Sequence, residues 1–230
     1  MFRLKFFSVL LLALACYNSN GLAQSLHQTP LFQAHAHNDY RQKRPLQDAL
    51  DNDFWSVEAD IFLVDGELLV GHSRDELSMD RTLRKLYLNP LKNYFLDNKQ
   101  KSNEKFPPFT LLIDIKTDGE AVYQVLRNQL REYEELLTSC QDGKTVRHPV
   151  QVVISGDRPI EMIEADNPSY AGIDGRLSDL DSDKPSQLMP LISDRWTSHF
   201  QYRGKGKMTE AERKKLREIV RQAHAAGRRI

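Results

Sequence analysis

Between Ala34 and Ser73 the chain gathers groups that can hold a cation and move protons: His35, His37 and Asn38, then Glu58 and Asp60, then His72. Glu58 and Asp60 are two apart in Ser56-Val57-Glu58-Ala59-Asp60-Ile61. On a strand they share one face, roughly 7 Å apart at Cα, while Val57, Ala59 and Ile61 take the other. Two carboxylates so close on a mainly apolar strand repel unless a cation or base neutralises them. Hard oxygen donors suit Ca²⁺ or Mg²⁺. The plainer alternative is a solvated edge. Asp114 and Lys116, in Leu111-Leu112-Ile113-Asp114-Ile115-Lys116, extend the set. An acid inside so apolar a run must be paired, liganded or at a sheet rim, and an Asp114–Lys116 ion pair would satisfy that alone.

His37 and His72 flank the acidic strand and are candidates for general base and general acid, because an imidazole transfers protons in both directions near neutrality. His35 either replaces His37 in the chemistry or holds it in place. Of the seven histidines, His148, His199 and His224 read as structural or surface residues, and His27 lies near the start of the mature chain. Arg203-Gly204-Lys205-Gly206-Lys207 reads as a solvated basic loop, with a phosphate-binding loop as the alternative.

These residues need elements to position them. Leu31–Ala36 reads as a short strand that places His35 and His37 on one face. Pro45–Leu50 reads as a short helix and Trp55–Ile61 as a strand. Asp65-Gly66 between two apolar runs is a hairpin signal whose return arm delivers Gly71-His72. A largely helical stretch over Thr82–Asn98 precedes a strand at Phe109–Ile115. Glu120–Thr138 carries Val122, Leu126, Leu130, Tyr133 and Leu137 at helical spacing, with Cys140 just past its end. Further strands are expected at Val150–Ile154, Tyr170–Ile173 and Leu191–Ser193. A helix is expected over Thr209–Ala226, capped by Thr209 with Glu212 and stopped by Gly227. Arg228-Arg229-Ile230 reads as the start of another strand.

Strands alternating with helices imply a parallel sheet. Polar residues recur at strand C-terminal ends: His37, Asp60, Asp114, Ser155, Asp174 and Asp194. That is the rim on which a (β/α)8 TIM-type barrel builds its active site. About six strands and the start of a seventh are visible where a barrel needs eight. Either the count is short or the barrel is incomplete at the C-terminus.

Met1–Ala23 has the three parts of a secretory signal: Arg3 and Lys5, an apolar Phe6–Ala15 run, and Gly21-Leu22-Ala23. Residues 24–230 are then a single exported domain, secreted or periplasmic. Leu14-Ala15-Cys16 offers a rival reading as a lipid-attachment site. Cys140 alone cannot form an internal disulfide. Lys+Arg and Asp+Glu are both 32, so no global charge favours a nucleic-acid partner.

Taken together, the motifs resemble the phospholipase C-like phosphodiesterase superfamily, which includes glycerophosphodiester phosphodiesterases, phosphoinositide phospholipases C and sphingomyelinases D. His37-Asn38-Asp39-Tyr40 resembles the His-Asn-Thr-Tyr segment of metal-dependent phospholipases C. Ser56–Asp60 resembles the Glu-x-Asp strand, and Asp65-Gly66 through Val70-Gly71-His72 resembles the Asp-Gly…Val-x-His element of glycerophosphodiesterases. Ile113-Asp114-Ile115-Lys116-Thr117 resembles the acidic-x-Lys strand of sphingomyelinases D. Within the superfamily the set is similar to the branch containing altered inheritance of mitochondria protein 6. The His-Arg-Gly and Glu-Asn-Thr motifs of true glycerophosphodiesterases are absent, and Asp114 stands where many members carry Glu.

The resemblance implies one divalent cation, Ca²⁺ or Mg²⁺, held by Glu58, Asp60, Asp114 and Asn38. It implies His37 as base, His72 as acid and Lys116 as a positive charge near the phosphate. The expected enzyme is a monomeric phosphoric diester hydrolase acting on a small-molecule or lipid-derived diester, with peripheral membrane contact where the diester is a lipid. The alternatives are an exported non-catalytic metal- or phosphate-binding protein and a phosphatase of monoesters.

Overall fold

The computed structural model describes residues 29–97 and 106–230. The expected leader over 1–23, Cys16, His27 and most of the 99–108 loop lie outside the described residues.

A short helix α1 (Gln47–Asp51) leads into β1 (Ser56–Val64) and its antiparallel partner β2 (Glu67–Val70). The next segment is helical over 84–97, with α2 (Asn89–Lys92) between two π-helical turns. Then come β3 (Phe109–Ile115), α3 (Gly119–Arg131), the small hairpin β4 (Ser139–Gln141) and β5 (Lys144–Val146), and β6 (Val150–Gly156). α4 (Ile160–Ala165), β7 (Ala171–Gly175), β8 (Leu191–Ile192), α5 (Trp196–His199) and α6 (Glu210–Ala225) complete the order.

The architecture is mixed α/β around a six-stranded sheet of order β2-β1-β3-β6-β7-β8. β1, β3, β6, β7 and β8 run parallel, and β2 is antiparallel to β1. Val57, Ala59 and Ile61 pack with Leu111, Ile113, Val152 and Ile154 in one apolar core, against Val122, Leu126 and Leu130 of α3. The alternate residues Glu58, Asp60, Leu112, Asp114, Val153 and Ser155 occupy the opposite face by strand parity.

The sheet is strongly curled. Arg229 pairs with Leu191 at the far edge of β8, yet its guanidinium lies 2.6 Å from Thr110 Oγ1 on β3 and 3.1 Å from the Phe32 carbonyl oxygen. In a flat sheet those positions would be four strand spacings apart, about 19 Å, beyond any arginine's reach. The face carrying Glu58, Asp60 and Asp114 is therefore the concave one. The parallel order and the rim are as expected. A closed eight-stranded barrel is not seen among the described residues.

Three local expectations need correction. Leu31–Ala36 is not a continuous strand: only Leu31 and Ala36 bridge to the sheet, because a turn closed by Ala34 N–H donating to Leu31 O intervenes. The helix expected to Thr138 stops at Arg131. Glu132, Glu134 and Glu135 follow at its negative end, where acidic side chains are disfavoured, and Leu137 instead bridges to Val150. Cys140 consequently sits in β4 rather than at a helix end. The α6 expectation holds, with Thr209 accepting from Glu212 N–H and Gly227 at φ 69°.

Candidate active site

β1 and β3 pair so that Asp60 lies beside Asp114 and Glu58 beside Leu112. Glu58, Asp60 and Asp114 each offer a carboxylate oxygen within 4.8 Å of the others. Glu58 and Asp60 are buried, which excludes the solvated-edge alternative. Asp60 Oδ2 accepts from Tyr40 Oη at 2.7 Å and from Lys116 Nζ at 2.9 Å, with His72 Nδ1 at 3.0 Å. Its other oxygen, Oδ1, is buried with no protein partner. A buried carboxylate oxygen left bare costs about 1–3 kcal/mol or more. A hard cation at the convergence of the three acids would satisfy it, so the residues present fit such an ion.

Burial, reinforced by the other acids, pushes the Glu58 carboxyl above its ordinary range against the pull of the Asn38 N–H and His37. Burial likewise raises Asp114, offset by Lys116 and reinforced by Asp60. Burial would lower Lys116, but its hydrogen bond to Asp60 and the field of Asp114 prevail and its ammonium is held above the usual value.

An acid raised in the fold is penalised once ionised, so the cation-free protein loses stability as pH climbs from the unfolded range through the raised one. Asp114→Asn should therefore raise the cation-free melting temperature at pH 7. The gain should vanish below pH 3.8, where the acid is protonated in both states. Melting curves with and without Ca²⁺ check this: the same variant should lose the cation's stabilising effect.

The two histidines reach the acids from opposite sides of the motif. Ala36 bridges Val57, with Ala36 N–H donating to Ser56 O and Glu58 N–H to Ala36 O. That pairing sets His35 beside Ser56 (Nδ1 to Oγ, 2.8 Å) and His37 beside Glu58 (Nδ1 to Oε2, 2.6 Å). His72 arrives on the loop after β2, set by the hairpin turn at Asp65 and Gly66, φ 50° and 82°. Gly71 N–H donates to Asp60 O and His72 N–H to Glu76 Oε2. Each of His37 and His72 thus rests Nδ1 on a carboxylate, and their side chains are 72% and 49% exposed.

Asn38 is left-handed, φ 52°, and its backbone N–H donates to Glu58 Oε2. Its Oδ1 sits 2.7 Å from Tyr40 Oη. Tyr40, inside the His-Asn-Asp-Tyr motif, carries no chemical signal of its own in sequence. Its hydroxyl lies between Asn38, Asp60 and His72, and burial together with Asp60 drives its pKa up, so it remains a donor. Asp39 anchors this turn by accepting from Leu46 N–H at 2.6 Å and Tyr87 Oη at 2.9 Å.

A second polar group continues along the rim. Asp174 Oδ2 accepts from Ser155 Oγ, Ser193 Oγ and Arg176 Nη1 at 2.6–2.8 Å, and Arg158 donates to the Asp174 carbonyl. Neither arginine carries a motif signal in sequence. Asp194 pairs with His199 at 3.0 Å. A separate cavity of about 260 Å³, lined by Pro108, Cys140, Gln151 and Ala171, lies at the opposite, N-terminal ends of β3, β6 and β7 and holds none of the candidate residues.

Residues 25–173 match the family model of the AIM6-like phosphodiesterase domain. The chain belongs to this family. The AIM6-like match covers every candidate site residue from His35 to Lys116. An altered inheritance of mitochondria protein 6 homolog of Arthroderma benhamiae is 32% identical over 186 residues, 69% of this chain and 57% of that protein. Altered inheritance of mitochondria protein 6 of Eremothecium gossypii is 33% identical over 172 residues, 66% and 44% of the two chains. That of Lachancea thermotolerans is 33% identical over 158 residues, 60% and 37%. The chain spans about half the length of the curated relatives it matches. No solved structure matches it significantly.

Proposed function

We propose that this AIM6-like domain is a phosphoric diester hydrolase of the phospholipase C-like kind, using two histidines as acid and base beside one divalent cation, Ca²⁺ or Mg²⁺. The observation that carries the reading is the convergence of Glu58, Asp60 and Asp114 with an imidazole resting on each of the first two. The bare Asp60 Oδ1 supports the cation. Bound there, the ion supplies positive charge to a nonbridging phosphate oxygen and stabilises the charge that builds in the transition state.

The chain's own residues do the rest. Glu58 orients His37 through Nδ1, leaving Nε2 to take a proton from the attacking hydroxyl, either water or a neighbouring substrate hydroxyl. Asp60 orients His72 in the same way, and its Nε2 gives a proton to the leaving alkoxide. Lys116 adds charge beside the phosphate, Asn38 completes the oxygen set, and His35 packs behind His37. The substrate in this reading is a lipid-derived or glycerophosphodiester-type molecule, met by an exported monomer at the rim of a (β/α)8-type barrel. The curled parallel sheet, with the acids on its concave face, supports that architecture.

Hydrolysis of bis(p-nitrophenyl) phosphate and of glycerophosphodiesters, with Ca²⁺ or Mg²⁺ added to chelator-treated protein, is the test. His37→Ala and His72→Ala should each lower the rate by about 10²–10⁴-fold. Rates untouched by both substitutions would sink the reading, and faster turnover of monoesters than of diesters would replace it with a phosphatase.

A further inference from the structure

We propose a second cation site on the same rim, formed by His35, His37 and Glu58, that takes a borderline transition-metal ion such as Zn²⁺ and competes with the catalytic use of His37. The competition rests on the diesterase reading above; the site itself does not.

One ligand atom from each of these three residues lies within 4.8 Å of the other two. The donor set, two imidazole nitrogens and one carboxylate oxygen, differs in kind from the all-oxygen set of Glu58, Asp60 and Asp114. Two nitrogens and an oxygen suit Zn²⁺, whereas three carboxylates suit Ca²⁺ or Mg²⁺. Around Zn²⁺ at bond lengths of 2.0–2.2 Å, tetrahedral ligand atoms stand roughly 3.4 Å apart. The three ligand atoms lie within 4.8 Å of one another and His37 Nδ1 is already 2.6 Å from Glu58 Oε2, so modest rotations of the two exposed imidazoles bring the set to that spacing.

The backbone already aims them. The Ala36–Val57 bridge puts His35 and His37 on the same face as Ser56 and Glu58. His35 Nδ1 is held by Ser56 Oγ at 2.8 Å, the arrangement in which one ring nitrogen is fixed by a neighbour and the other is presented to a metal. Glu58 belongs to both sets, so the two sites abut and their occupancies are coupled. An ion between His37 and Glu58 takes over the Nδ1 to Oε2 contact that orients the base while leaving Asp60, Asp114 and His72 in place, which makes the second site inhibitory.

Calorimetric titration of the full, chelator-treated chain with Zn²⁺ alone and with Ca²⁺ alone tests this. Wild-type protein should bind Zn²⁺ stoichiometrically. His35→Gln and His37→Gln should each weaken Zn²⁺ binding at least tenfold and leave Ca²⁺ binding unchanged. Asp114→Asn should do the reverse, losing Ca²⁺ and keeping Zn²⁺. Melting curves in parallel establish that each variant is folded. Zn²⁺ affinity unchanged in either histidine variant, or lost in Asp114→Asn, overturns the site. Where the Ca²⁺-supported diesterase rate is measurable, micromolar Zn²⁺ should suppress it at saturating Ca²⁺ and a chelator selective for Zn²⁺ should restore it. A rate indifferent to bound Zn²⁺ overturns the inhibitory role. Absence of any diesterase rate counts against the catalytic reading alone, because the titrations do not depend on turnover.

Discussion

Asp60→Asn is expected to reduce cation-supported diester hydrolysis by about 10³-fold, the scale on which removal of one preorganised electrostatic group acts. The substitution is nearly isosteric, yet the amide cannot satisfy both sides of this residue. Oδ2 faces three donors, Tyr40 Oη, Lys116 Nζ and the His72 ring, while Oδ1 is bare. If the amide oxygen keeps the three donors, the NH₂ group points to where a cation would sit and repels it. If the amide turns over, the NH₂ meets three donors and the buried hydrogen bonds are broken. Either way Lys116 loses the nearer of its two carboxylate partners and keeps only Asp114 at 3.4 Å, so breaking the pair also lowers stability. Rate measurements, Ca²⁺ titration and melting curves on one preparation separate these effects. Retained activity with a retained cation response would contradict the role assigned to Asp60.

Gly156→Ala is the second large effect expected, at a residue that does no chemistry. Gly156 ends β6 at φ 71°, a left-handed conformation that costs an L-residue about 1–2 kcal/mol. A Cβ there would also collide with Asp114 Oδ1 and with the Ile115 carbonyl oxygen. Alanine must therefore push the end of β6 off β3 and carry Asp114 away from Glu58 and Asp60. The expected outcome is a drop in melting temperature of several degrees together with loss of stabilisation by Ca²⁺. Gly143→Ala is the control. Its φ of 72° imposes the same backbone strain, but nothing lies within 4 Å of the added carbon. Equal losses in the two variants would show that only backbone strain matters and that Asp114 is not held by this close approach.

How far the sequence reveals this site depends on whether a signal is local. Glu58 and Asp60 declare themselves because strand parity puts two acids on one face of an apolar segment, and Asp65-Gly66 fixes where the hairpin returns His72. Asp114 and Lys116 are legible for the same reason. Tyr40 is not, because a tyrosine in a short helical turn looks like any core aromatic until its hydroxyl is seen among three partners. Gly156 is invisible as well: its role comes from the end of β6 lying against β3 beside Ile115 and Asp114, and Ser155-Gly156-Asp157 reads as a plain turn. The Asp174 cluster needs Ser155, Arg176 and Ser193, at the C-terminal ends of β6, β7 and β8, to meet. The misjudged end of α3 has a different cause. Leu136 and Leu137 continue the helical spacing of apolar residues, but both are buried on the far side of a turn, where pairing with β6 outweighs local periodicity. Sheet curvature is equally non-local, since it rests on Arg229 reaching Thr110.

That arginine has a bearing on how the protein is made. Its guanidinium joins the Phe32 carbonyl, 197 positions earlier, and the Thr110 hydroxyl, 119 positions earlier. Contacts of such span form only after the intervening chain is available, and they slow folding relative to local ones. On a translating ribosome, a nascent chain released up to α5 would have its acidic strands paired but its two ends unlaced. The histidine-bearing segment at Leu31–Ala36, bridged to β1 only through Ala36, would lack its Phe32 tie to Arg229 until then.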